Sequence, residues 1–127
     1  MKRVFLEKYA SLSWLLVLAV ASTIFYISSL TFRRVGVPSL MAYIYHFFIF
    51  FWLAFFLLIA MIRGKNISLA IPAIFMALVY ALSDEIHQKF VPLRACAFSD
   101  FLIDLAGILF ASFLYLATIR IREKPTI

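Results

Sequence analysis

Charge, cysteine and glycine are all scarce in this chain. Only 14% of its 127 residues are charged, against about 25% in an ordinary soluble domain. Hydrophobic residues make up 66% and aromatics 18%, and the mean hydropathy is strongly positive. A water-soluble fold of that composition would lack the polar surface to cover itself. The one cysteine, Cys96, excludes an internal disulfide, and no spacing supports a zinc or redox motif. With three glycines in total, the chain has no phosphate-cradling glycine loop. There is no repeat and no low-complexity linker, and the length suits one domain over residues 1–127. The net charge of +6 does not point to nucleic acid. The Lys and Arg residues sit between apolar runs, where they anchor helices at a membrane interface and set topology.

What remains is apolar sequence in four long runs. A spanning helix needs roughly 20 mostly apolar residues. Leu12 to Leu30 carries no charge. Lys2, Arg3 and Lys8 before it, and Ala19-Val20-Ala21 within it, imitate a cleaved signal peptide. The run continues past that point to Leu30, so a retained helix is expected. Gly36-Val37-Pro38 then punctuates the chain, and Leu40 to Ile62 is interrupted only by His46. Arg63-Gly64-Lys65-Asn66 reads as a tight polar turn. Ile67 to Leu82 is short for a span, but its helix is expected to run on to about Gln88, towards Pro92. Phe98 to Ile119 is the fourth run and holds Asp100 and Asp104. The predicted fold is therefore all-α: a polytopic four-helix membrane bundle with helices over 12–30, 40–62, 67–88 and 98–119.

Four spans put both termini on one side. That side has eight basic residues: Lys2, Arg3, Lys8, Arg63, Lys65, Arg120, Arg122 and Lys124. The other has four: Arg33, Arg34, Lys89 and Arg94. The positive-inside rule then predicts a plasma-membrane protein with both termini cytoplasmic. Tyr9 and Trp14 fit an aromatic belt on that side, and the Phe run of the second helix, covering every face, fits lipid contact and packing.

The same topology gathers the polar residues. Ser28 and Ser29 end the first helix, His46 opens the second, Asp84 to Gln88 end the third, and Asp100 and Asp104 open the fourth. All fall in one layer at the outer face. Residues three and four apart share a helix face, so Glu85 pairs with Gln88, and Asp100 and Asp104 form a stripe with Gly107 and Ala111. Gly107-x-x-x-Ala111 lets a neighbouring helix approach closely, which turns the two acids towards the bundle interior. An Asp at a helix centre costs about 2.5–3.5 kcal/mol on insertion scales. An arginine partner, a bound cation or a shared proton would offset that cost. Arg94, in a loop stiffened by Pro92, and His46 are the nearest partners. Plainer readings stand beside these. Asp84 and His87 also fit solvated positions at a helix end, Asp100 an interfacial one, and His46 a bond to a backbone carbonyl. The two serines carry little weight alone.

The stretch from Leu82 to Gly107 resembles the VanZ-like family. An E-x-x-Q motif ends the third helix at Glu85 and Gln88, a P-x-R loop follows at Pro92 and Arg94, and D-x-x-x-(N/D)-x-x-G opens the fourth at Asp100, Asp104 and Gly107. Ser28-Ser29 and His46 match two further family features, so the resemblance covers nearly the whole chain. Many members carry Asp-Lys shortly before the histidine, where this chain has Ala42 and Tyr43, so an ion pair near His46 is missing. The resemblance implies a cell-envelope role. The family's named member is associated with low-level resistance to the glycopeptide teicoplanin.

Four functions fit these residues. In the first, an outer-face cleft binds an envelope lipid, a lipid-linked sugar or an amphiphilic glycopeptide-type ligand, with Arg94, Gln88, Asp100 and Ser29 as ligand-binding residues. In the second, the protein is an intramembrane enzyme acting on a lipid-linked phosphate. Glu85, Asp100 and Asp104 would hold a divalent cation such as Mg²⁺, with Glu85, Asp104 and His46 as catalytic candidates and His87 a further acid or base. The third is a proton- or ion-linked carrier, which would need an oligomer. The fourth is an assembly subunit whose polar site only locks helices together.

Overall fold

A computed structural model describes residues 8–30, 39–63, 66–92 and 98–123. These residues form four long α-helices: α1 (Ala10–Ser29), α2 (Ser39–Ile62), α3 (Ala70–Phe90) and α4 (Phe98–Glu123). A 3₁₀ turn, Ile67–Leu69, leads into α3. All four are long and apolar enough to cross a membrane. In hydrocarbon every backbone N–H and C=O needs an internal partner, and a continuous helix supplies one for each. The chain is a multi-pass membrane protein.

Local chemistry sets the helix ends. Arg63 adopts φ 53°, the left-handed conformation that commonly closes a helix. Its N–H donates to the Ile59 carbonyl at 3.3 Å, and the Asn66 N–H donates to the Ile62 carbonyl at 3.2 Å. The polar turn expected over Arg63 to Asn66 is thus closed by backbone bonds on both sides of Gly64 and Lys65, which lie outside the described residues. Pro72 falls in the first turn of α3, where its missing N–H costs little. At the far end α3 runs to Phe90, past the last apolar run, and the Val91 N–H donates to the Gln88 carbonyl at 3.2 Å.

Helix α2 is the centre of the bundle and touches the other three. Its core side chains are Phe50, Leu53, Ala54, Leu57, Leu58 and Ile62. Helix α4 packs most extensively on α2, while α1 packs on α2 and α3. The contact between α2 and α4 is close at one point. A Cβ built on Gly107 would lie 2.3 Å from the Phe47 carbonyl oxygen and 3.2 Å from the Phe51 nitrogen. Helix α3 meets its neighbours through small side chains. Ala70, Ala73, Ala77 and Ala81 are all buried, at spacings that keep them on one face. Exposed apolar side chains occur on every helix: Leu15, Leu18 and Phe25 on α1, Phe48 on α2, Ile71 and Phe75 on α3, Phe113 on α4. On helices long and apolar enough to cross a membrane, such side chains suit contact with lipid. The α2 aromatics divide as their spread around the helix requires, with Phe50 fully buried and Phe48 exposed.

Candidate functional site

Helix rotation decides which polar side chains enter the bundle. On α3 the buried alanine stripe continues one turn at a time into Asp84 and Gln88, which are also buried, as is Glu85. On α4 the stripe of Asp100, Asp104, Gly107 and Ala111 is buried along its length. On α1 the buried face is Ala10, Ser13, Val17, Ile24 and Ser28. Ser28 follows Ile24 by four residues and so shares its inward direction.

These faces meet at one end of the bundle. His46 Nδ1 of α2 lies 2.8 Å from Asp104 Oδ1 of α4. With Asp104 ionised, the imidazole N–H is the donor. His46 Nε2 lies 4.0 Å from Asp100 Oδ2, one turn nearer the helix end. Across the bundle, the Ser28 hydroxyl of α1 donates to Asp84 Oδ1 of α3 in a short hydrogen bond. Gln88 Nε2 donates to Asp84 Oδ2 at 3.2 Å and to Ser28 Oγ at 3.4 Å. Four buried groups, His46, Asp84, Glu85 and Asp104, each present a donor atom within 4.8 Å of the other three. Asp104 is fully buried, and its Oδ2 has no hydrogen-bond partner among the described residues.

The candidate residues separate into three groups. His46, Glu85, Gln88 and Asp104 lie in the cluster or bond to it. Asp100 stands at its edge, 4.0 Å from the imidazole and outside the four-group set. Ser29 is exposed and turned outwards. Its hydroxyl donates to the Phe25 carbonyl at 2.7 Å and accepts from His87 Nε2 at 3.0 Å. His87 also stacks on Phe25, with ring centroids 4.8 Å apart. Arg94 lies outside the described residues. Two residues gain importance over the sequence reading. Asp84, which also fitted a solvated helix end, is buried, and Ser28 rather than Ser29 reaches the acids. The signal for both was the period of small and apolar residues preceding them, Ile24 for Ser28 and the alanine stripe for Asp84. The site therefore draws on all four helices.

The two serines can be told apart by substitution. Ser28→Ala removes a buried donor from Asp84 and should destabilise the protein by about 1–3 kcal/mol. Ser29→Ala removes an exposed hydroxyl and should change stability by less than about 0.5 kcal/mol. Thermal unfolding in detergent reads both, and equal shifts would contradict this division of roles.

Three buried carboxylates sharing a space with one imidazole is an expensive arrangement at membrane depth, and residues of this kind are functional candidates by default. The arrangement can bind a cation, share protons, or hold an imidazole as general acid or base oriented by a carboxylate. Comparison with curated proteins and with solved structures gives no match. The VanZ/LLP1 family model, however, matches residues 10–120, which takes in nearly all of the four helices and each polar residue gathered at this end of the bundle. The chain belongs to the VanZ/LLP1 family.

Proposed function

We propose that this protein binds the polar head of an amphiphile at the gathered end of its bundle, while lipid and apolar helix faces accommodate the hydrophobic part. The ligand class is an envelope lipid, a lipid-linked sugar or a glycopeptide-type molecule. One observation carries the reading: ionisable groups from three helices, joined by Ser28 of the fourth, are buried together at one end of an otherwise apolar bundle. Apolar walls with a few convergent polar groups suit an amphiphile. Arg94 follows α3 and precedes α4 in sequence, and is assigned the phosphate or carboxylate of the head group. The excess of basic residues in the termini and in the segment between α2 and α3 supports cytoplasmic termini and a site on the outer face of the plasma membrane.

A second reading is an intramembrane enzyme acting on a lipid-linked phosphate. The observation favouring it is the His46–Asp104 contact at 2.8 Å, which orients an imidazole as a general base would be oriented. The two readings part in one experiment. Membranes from cells expressing wild type or Glu85→Gln are compared by lipid mass spectrometry, and both purified proteins by native mass spectrometry. Binding predicts unchanged lipid profiles, with one species bound to wild type and lost from the variant. Turnover predicts a lipid-linked species that accumulates with Glu85→Gln and co-purifies with it. In either case Arg94→Ala should weaken binding of that species by more than roughly tenfold, since a charged hydrogen bond contributes about 1.5–3 kcal/mol. Unchanged affinity would remove Arg94 from the site.

A further inference from the structure

We infer that His46, Asp84, Glu85 and Asp104 form a binding site for one divalent metal ion. The inference deepens the head-group reading above, since the ion would occupy that same site and face the ligand. The sequence pattern suggested a different set, Glu85, Asp100 and Asp104. The fold brings in His46 from α2 and Asp84 from α3, and leaves Asp100 outside.

Two observations support an ion. The first is the geometry. Donors on opposite sides of a six-coordinate ion with bonds of about 2.1 Å lie about 4.2 Å apart. The four donor atoms lie within 4.8 Å of one another, so side-chain movements of less than about an ångström would close the shell. The second is Asp104 Oδ2. It belongs to a fully buried carboxylate, yet has no hydrogen-bond partner among the described residues. Its carboxylate offers an atom within 4.8 Å of atoms of both Asp84 and Glu85. A buried acceptor left without a hydrogen bond calls for a donor or a positive partner. The His46 Nδ1–H stays on Oδ1, so Asp104 would offer Oδ2 to the ion and His46 its Nε2 lone pair.

The donor set also narrows the ion. Carboxylates suit Mg²⁺, Ca²⁺ and Mn²⁺, whereas imidazole suits transition ions. Three carboxylates with one imidazole match Mn²⁺ best. An ion held there would leave coordination positions for water or for a phosphate oxygen of the bound amphiphile. The Ser28 and Gln88 bonds to Asp84 fix that carboxylate's orientation, as outer partners of metal ligands commonly do.

The test uses the full chain, purified with chelator, freed of it, and placed in phosphatidylcholine nanodiscs with no other amphiphile. Mn²⁺ binding is followed by electron paramagnetic resonance, and stability by thermal unfolding. One Mn²⁺ per chain is expected, with a melting temperature that rises with Mn²⁺ but not with K⁺. Asp84→Asn and Glu85→Gln should each weaken Mn²⁺ by at least roughly tenfold, while His87→Gln, on the outward side, should leave it unchanged. A folded wild type that melts at the same temperature with and without millimolar Mn²⁺, and takes up none, overturns the inference. That result would leave the carboxylates to share protons instead. Variants that keep wild-type affinity also overturn it. With no other amphiphile present, failure here removes the ion alone. An ion retained in a protein that binds no amphiphile removes the head-group reading alone.

Discussion

Replacing Gly107 by alanine is expected to destabilise the protein by about 3 kcal/mol or more, and by valine to prevent recovery of folded protein in detergent. Overpacking usually costs about 1–3 kcal/mol because side chains swing aside. Here the obstacle is the Phe47 carbonyl, 2.3 Å from where the new Cβ would lie, with the Phe51 nitrogen at 3.2 Å. Both are backbone atoms of α2 and cannot rotate away, so α2 and α4 must separate. Their interface is the most extensive in the bundle, and the strain falls on it directly. The site should suffer with it. Phe47 adjoins His46 in sequence, and Asp104 precedes Gly107 by one helical turn on the same buried face. Separation at Gly107 therefore draws Asp104 away from the imidazole it meets at 2.8 Å. Thermal unfolding and ligand binding, measured together, should fall together. A Gly107→Ala protein with wild-type stability would show that the close approach of the two helices is dispensable.

The second large effect lies at that contact. Asp104→Ala and His46→Ala should each cost about 3–5 kcal/mol, because each leaves the other member of a buried pair without its partner. The double replacement His46→Leu with Asp104→Leu should be far milder than the sum. Replacing both partners of a buried polar contact by apolar side chains of similar size is often nearly neutral. The cycle separates two roles that a single substitution confuses. A stable double variant that has lost amphiphile binding would show that the pair is kept for function. A stable double variant that still binds would make the pair an incidental part of the fold. A double variant as unstable as either single one would make it structural glue, the assembly-subunit role set beside the others at the outset.

Much of the architecture was legible before any coordinates. The apolar runs from Leu12, Leu40, Ile67 and Phe98 located all four helices, because a membrane demands length and apolarity and tolerates few exceptions. The resemblance carried by Glu85, Gln88, Asp100, Asp104 and Gly107 was matched by a family model over residues 10–120. The inward direction of Asp104 was legible too, since Gly107 and Ala111 share its face and small residues mark close helix contacts. The site was read less evenly. Ser28 and Ser29 are adjacent, about 100° apart around a helix, and only the packing of α1 on α3 turned Ser28 towards Asp84 and Ser29 towards His87 and the outside. Asp84 was equally ambiguous at a helix end, until the alanine face of α3 fixed the rotation of the whole helix and buried it.

The layer follows from the apolar runs alone. Hydropathy sets where each span begins and ends, and alternating direction obliges the end of α1, the start of α2, the end of α3 and the start of α4 to share one level. The partners within that layer come from the packing of the helices. His46 pairs with Asp104 and stands 4.0 Å from Asp100, although the two acids are one turn apart on one stripe. That choice depends on how deeply α2 and α4 slide past each other and how closely they approach. Both are set by the contact of Gly107 with the backbone of α2, a property of two helices together that neither segment encodes alone.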